Sequence, residues 1–305
     1  MPVIIPSTLP AKRLLEKENI FVMNAGRAVT QEIRPLSIGV LNLMPNKEDT
    51  ELQLLRLIGN SPLQAEVNFL RTASYSGTHT PRQHLESFYI TFEEAVRSGK
   101  KFDGLIITGA PVEKLDYTDV KYWDELKQVM AWTEHNVFST FYICWAAQAA
   151  MYYFYGVEKR GLANKISGIY LHKTSKRNHP LVRNFDELFY APHSRHTEVI
   201  PAQVKSVKDI DILAESDEAG LFLAASKDGR RVFAFGHAEY DKLTLDGEYK
   251  RDVAAGRTDV SAPVNYYDDK GVPVLNWRAH SALLFANWLN YFVYQNTPYN
   301  ITEIK

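Results

Sequence analysis

The segment Thr140-Phe141-Tyr142-Ile143-Cys144-Trp145-Ala146-Ala147-Gln148-Ala149-Ala150-Met151 decides how the fold is read. Its first half completes an aromatic and β-branched run from Val137 to Ile143, the composition of a strand buried on both faces. Its second half is rich in alanine, the strongest helix former, and Gly156 supplies a C-terminal stop. Strand passes into helix at Cys144. Outward from this junction the alternation repeats. Ser37 to Met44 and Gly104 to Gly109 are further strand-like runs. Glu48 to Ile58 places Leu52, Leu55 and Leu57/Ile58 at helical spacing, and Tyr122 to His135 repeats Trp123, Leu126 and Val129/Met130. Strands alternating with helices predict an α/β fold, a three-layer doubly wound arrangement with a mostly parallel sheet flanked by helices.

Beyond the junction the character changes. Gly168–His172, Ile210–Ala214, Leu221–Ala225 and Arg231–Phe235 read as short strands parted by turn residues such as Asp228-Gly229. Trp277 to Tyr294 reads as one long amphipathic helix. No Pro/Gly/Ser-rich linker divides the 305 residues. The expectation is one domain over 1–305, with 1–35 an N-terminal extension packed on it.

Hydrophobic residues make up 45% and charged residues 23%, enough for a core without disulfides. Thirty-five basic residues face 36 acidic ones, a net charge of -1, which gives no reason to expect nucleic acid or a membrane as partner. The basic stretch His172 to Arg177 reads as a solvated loop. The apolar segment Phe138–Tyr155 is interrupted by Cys144 and Gln148, so it reads as strand plus helix and not as a membrane span. The N-terminal residues lack the pattern of a signal peptide, and a cytoplasmic location is expected. A single cysteine excludes an intrachain disulfide and any C-x-x-C motif. Neither a P-loop nor G-x-G-x-x-G follows a strand.

The cysteine's position carries chemistry. A sulfur at a strand-to-helix turn meets the helix N-terminus, whose free N–H groups favour a thiolate and can hold an oxyanion. By itself, a lone cysteine among apolar residues is more often a buried hydrophobe. A second string shifts that balance. Arg231–Phe235 runs into Gly236-His237-Ala238-Glu239-Tyr240 some ninety residues downstream. His237 at a strand end suits a general base, and Glu239 suits the carboxylate that fixes its tautomer. His193-Ser194-Arg195-His196 lacks a third ligand at zinc spacing, so a structural or substrate role is expected there and no metal site.

These strings, with Arg34-Pro35-Leu36, Leu41-Asn42-Leu43-Met44-Pro45-Asn46-Lys47, Gly109-Ala110-Pro111 and Glu18-Asn19-Ile20-Phe21-Val22-Met23, carry a resemblance. The chain resembles the homoserine O-acyltransferases of methionine biosynthesis, over nearly its whole length. The resemblance implies a class I glutamine amidotransferase-like (flavodoxin-like) fold and an acyl-cysteine ping-pong reaction, with Cys144 as nucleophile, His237 as base and Glu239 as its orienting partner. It places Lys165, Ser194 and Arg251 in substrate binding, Arg251 suiting a carboxylate. Lys47 and the backbone N–H of Trp145 are candidate contacts for the oxyanion or the acyl donor. Succinate-using members resemble a pattern with glycine three places after Ala110, where this chain has Glu113. A carboxylate there would crowd and repel a succinyl group but not an acetyl group. The implied substrates are L-homoserine and acetyl-CoA, with no bound cofactor, and the resemblance suggests a homodimer. A succinyltransferase, a glutamine amidotransferase and a non-catalytic ligand sensor on the same fold stay open as alternatives.

Overall fold

The computed structural model describes residues 3–17, 22–23, 34–74 and 80–304. Among them twelve strands join one sheet. They are β1 (Val3–Ile4), β2 (Val22–Met23), β3 (Leu36–Leu41), β4 (Ala65–Arg71), β5 (Tyr89–Thr91), β6 (Phe102–Ile107), β7 (Val137–Ile143), β8 (Lys159–Thr174), β9 (Leu188–Val199), β10 (Ile210–Ser216), β11 (Gly220–Ser226) and β12 (Arg231–Ala234). The order is β2-β1-β4-β3-β6-β7-β12-β11-β10-β8-β9, with β5 beside β4. Every pairing from β2 to β12 is parallel. From β12 to β9 the sheet is antiparallel.

Nine α-helices occur among the described residues: α1 (Ala11–Lys17), α2 (Lys47–Ile58), α3 (Arg82–Phe88), α4 (Phe92–Arg97), α5 (Trp123–Asn136), α6 (Trp145–Tyr155), α7 (Pro201–Ser206), α8 (Thr244–Ala254) and α9 (Arg278–Asn287). Their apolar stripes form two cores, one on each sheet face. Leu54 and Leu55 of α2 and Leu284 and Phe285 of α9 pack with Ile38, Val40, Ile106 and Phe141. Leu126 and Met130 of α5 and Trp145 and Met151 of α6 pack with Leu105, Ile107 and Tyr142. Layers on both faces explain why the central strands are mostly apolar, with the few polar residues such as Asp103, Ser139 and Thr140 buried. No helix among the described residues is long and apolar enough to cross a membrane, and Phe138–Tyr155 is indeed divided between β7 and α6.

Several expectations need correction. The first long strand stops at Leu41 and not at Met44, because Asn42 turns the chain. Its side chain accepts from the Met44 N–H at 3.1 Å and donates to Tyr89 at 3.0 Å, a local bond that competes with the sheet ladder. The short strand Gly168–His172 is part of the 16-residue β8, which pairs with an unforeseen partner, β9. His172 and Thr174 are buried in β8, so His172–Arg177 is not a solvated loop throughout. The C-terminal helix is α-helical to Asn287 and π-helical from Trp288 to Tyr294. This wider turn brings Trp288, Leu289, Phe292 and Val293 into the core, with the Trp288 indole donating to Ser139 at 3.1 Å. Residues 18–21 of the quoted string and residues 24–33 lie outside the described residues. β1 and β2 of the N-terminal segment join the sheet, β1 pairing with β2 and with β4.

Candidate active site

β7 and β12 are adjacent parallel strands, paired from Thr140↔Arg231 to Ile143↔Ala234. Their C-terminal ends therefore open at the same edge. Cys144 follows β7 directly, with its N–H donating to the Ala234 carbonyl at 2.7 Å. Its φ of 51° and ψ of -113° are unusual for a residue with a side chain, a turn that costs about 1–3 kcal/mol and needs its surroundings to hold it. The flanking glycines common at such turns are absent. Ala146, Ala147, Ala149 and Ala150 compensate, being buried and small enough for α6 to lie close to the sheet. The sulfur faces the Ser194 carbonyl at 3.9 Å.

His237 sits just past β12, its own N–H bound to the Pro192 carbonyl at 2.9 Å. Nδ1 of His237 is 2.7 Å from Glu239 Oε1, and both residues are buried. A carboxylate accepts, so Nδ1 donates and Nε2 is the nitrogen left for the sulfur. Burial alone would push the imidazole's pKa down, but the Cys144 sulfur and the Glu239 carboxylate outweigh it and raise it well above its ordinary value. That balance favours the charged imidazolium beside the sulfur. Tyr240 stacks on His237 with ring centroids 4.1 Å apart.

These groups open into a cavity of about 360 Å³ lined by Gly109, Glu113, Cys144, Lys165, Ser194, His196, His237, Tyr240, Glu248, Arg251 and Arg257, among others. Lys165 is nearly buried and binds Asp252 Oδ2 at 2.7 Å, with Glu248 at 3.6 Å. Arg251 donates to the other Asp252 oxygen at 3.0 and 2.8 Å, while its side chain stays 64% exposed. Ser194 donates to Glu248 Oε2 in a short bond, and Tyr240 donates to Glu248 Oε1 at 2.7 Å. Lys165, Ser194 and Arg251 thus converge beside Cys144.

Glu113 lies on the same cavity, its Oε1 receiving the His196 N–H at 3.1 Å. Burial raises its pKa, opposed by that hydrogen bond and by Lys165 and His237. Lys47 is placed differently. It lines an adjoining cavity of about 790 Å³ that shares Met44, Pro45, Pro111, Val112, Arg251 and Arg257 with the first. Its ammonium donates to the Asn42 carbonyl at 2.5 Å, and burial pushes its pKa down to about 8. The Trp145 indole is fully buried against Tyr117 and Tyr122. What Trp145 can offer the cavity is its backbone N–H, which has no partner inside α6 because it opens that helix. Strand alternation sends His193 and His196 to opposite faces of β9, so the two do not converge on one ion. Among the described residues no His/Cys/Asp/Glu group is arranged to hold a metal.

Two participants escaped the sequence reading. Glu248 stands one helical turn before Arg251 on α8, and Asp252 bridges the two cations. The i, i+3 spacing of Glu248 and Arg251 was the available signal, but it is ordinary on a surface helix.

A family model described as "HTS: Homoserine O-succinyltransferase" matches residues 2–299. A homoserine O-acetyltransferase of Acetivibrio thermocellus is 53% identical over 308 residues, covering 100% of both chains. One from Lachnoclostridium phytofermentans is 52% identical, covering 99% of this chain and 100% of its own, and one from Shouchella clausii is 52% identical over 99% and 98%. Among solved structures, a glutamine amidotransferase of Thermotoga maritima superposes with a TM-score of 0.53 at 11% identity, covering 85% of this chain and 98% of that one. Another from Methylobacillus flagellatus gives 0.53 at 10% identity, over 85% and 95%. At such identities the likeness concerns the fold, which is of the class I glutamine amidotransferase type.

Proposed function

This chain belongs to the homoserine O-succinyltransferase family, and from that premise we propose that it is a homoserine O-acetyltransferase of methionine biosynthesis working through an acyl-cysteine. The observation that carries the mechanism is that Cys144 and His237 line one cavity while Glu239 holds the far ring nitrogen of His237 at 2.7 Å. The Cys144 thiolate attacks the thioester carbonyl of acetyl-CoA. The bond to the coenzyme sulfur breaks, and the imidazolium of His237 gives that sulfur its proton. His237 then takes the proton of the homoserine side-chain hydroxyl, whose oxygen attacks the acetyl-cysteine, and the thiolate leaves. The Trp145 N–H and its neighbours in the first turn of α6 hold the oxyanion. The enzyme acts in the cytoplasm, as one domain supported by the continuous sheet, with acetyl-CoA as co-substrate and no resident cofactor.

Arg251 takes the homoserine carboxylate, and Lys165 and Ser194 its remaining polar groups. Glu248, an acceptor facing the cavity, takes the ammonium. Glu248→Gln is therefore expected to raise the KM for homoserine by about 10-fold or more. The acetyl adduct of the first half-reaction should still form at the wild-type rate, as stopped-flow release of coenzyme A would measure. Lys47 faces the donor's carrier in the larger cavity.

Glu113 chooses the donor. Two like charges about 4 Å apart at an effective dielectric of about 20 repel by roughly 4 kcal/mol, and a succinyl group reaching past the thioester would bring its carboxylate toward Glu113. Intact mass after mixing with acetyl-CoA or succinyl-CoA, without homoserine, tests the reading. One acetyl adduct that homoserine discharges is expected, and Glu113→Gly should admit succinyl with a preference shifted by up to about 1,000-fold. A succinyl adduct on the unaltered protein would overturn the donor assignment. No adduct from either donor would favour glutamine hydrolysis on the same fold.

A further inference from the structure

The string His193-Ser194-Arg195-His196 is only half used by the cavity. Ser194 and His196 line it, while His193 and Arg195 point to the other face of β9, where they are 0% and 1% exposed. There they meet His172 of β8, also 0% exposed. Arg195 Nη1 lies 2.8 Å from His193 Nδ1, and His193 Nε2 lies 2.9 Å from His172 Nε2. A guanidinium only donates, so His193 Nδ1 must accept. His193 then carries its proton on Nε2 and gives it to His172, whose own proton sits on Nδ1. Both rings are neutral. Burial, with the Arg195 charge, holds His193 well below its ordinary pKa and His172 at about 3.

Arg195 is thus a buried cation whose close side-chain partner is an uncharged ring. Its other contacts are the Ala219 carbonyl and Glu198 at 3.6 Å. Glu198 is itself shared with Arg160, at 2.9 and 2.7 Å. Burial lowers the pKa of the guanidinium, and the Cys144 sulfur stands first among the groups that oppose that lowering. Arg195 also adjoins Ser194, the residue whose carbonyl faces the sulfur.

We propose that Arg195 is a positioning residue for the nucleophile: a fixed positive charge, held by the two neutral imidazoles of His193 and His172, that favours the Cys144 thiolate from behind β9. It rests on the reading of Cys144 as the nucleophile. A carboxylate in direct contact would cancel more of the field than Glu198 does at 3.6 Å, whereas an imidazole orients the guanidinium and leaves its charge. The other titratable groups around the cavity that holds the sulfur are His237 and Tyr240 from the turn after β12, with Glu239 behind His237, Glu113 from the turn after β6, Lys165 from β8 and Glu248 from α8.

A single cysteine makes the test direct. The pH dependence of iodoacetamide alkylation, followed by intact mass, reports the thiolate without either substrate, so it can be read even if the acyl donor is misassigned. Arg195→Gln should move the midpoint up by about one pH unit, while Arg195→Lys, which keeps the charge, should stay within about 0.3 of the unaltered protein. Equal displacement in both, or none in either, would show a merely structural role and overturn the proposal. Should neither variant fold by circular dichroism, Glu198→Gln decides. Removing that partial counter-charge should lower the midpoint, and an unchanged or raised midpoint overturns the proposal.

Discussion

Replacing Cys144 with alanine is expected to lower acetyl transfer by about 10⁴-fold or more, the size seen when a covalent nucleophile is removed from a set that acts as a unit. The expectation follows from how little else in the cavity can carry an acyl group. His237 is committed to Glu239 through Nδ1, Ser194 gives its hydroxyl proton to Glu248, and Lys165 is held by Asp252. His237→Ala should cost a similar factor, and the double variant little more, because each depends on the other. Steady-state kinetics and adduct mass read both. A Cys144→Ala protein retaining even about 1% of turnover would mean that homoserine attacks the thioester directly, with the cavity serving only to orient it.

Gly168→Ala is expected to be the most destabilising small substitution in the neighbourhood of the site. Gly168 has φ of +146°, and a Cβ there would stand 2.4 Å from the Val264 nitrogen and 2.5 Å from its oxygen. Neither is a flexible side-chain end. Both belong to a backbone pinned on either side of Gly168, by Val264 N–H to Ser167 O at 3.0 Å and Ile169 N–H to Val264 O at 2.8 Å. Strain of this kind costs about 3 kcal/mol or more, which is expected to lower the midpoint of thermal unfolding by roughly 6–10 °C. The damage should reach function, because the same segment gives the Asp259 carbonyl to the Lys165 N–H at 2.9 Å. Thermal melts check the first effect and the KM for homoserine the second. A variant melting within about 2 °C of the unaltered protein would show that the segment yields easily.

The sheet was legible where burial on both faces forces a continuous apolar run. β6 and β7 were read to within two residues, as was α5 between them. β9 was not, because six successive polar or charged residues, His193 to Glu198, occupy it. They are buried by the cavity and by one another, and composition does not register burial among polar groups. The site was legible where its chemistry is local. Cys144 marks its turn by position, and His237 and Glu239 are two residues apart. Glu248 and Asp252 look like ordinary members of an amphipathic helix. Their meaning comes from Ser194 and Lys165, brought from more than fifty residues away by the β8–β9 hairpin. Lys47, read as a contact for the oxyanion or the acyl donor, lines the adjoining cavity.

The adjacency of β7 and β12 also governs how the protein comes into being. Parallel neighbours cannot be joined by a tight turn, and here the whole antiparallel extension intervenes between them. The nucleophile and its base therefore share no local folding nucleus, and loop closure over some ninety residues must precede their meeting. Until β12 docks, the chain's one thiol stands open to solvent and to oxidants. Its disappearance from reaction with a fast thiol reagent is a clock for the closing of the sheet, and the emergence of catalytic competence keeps the same time.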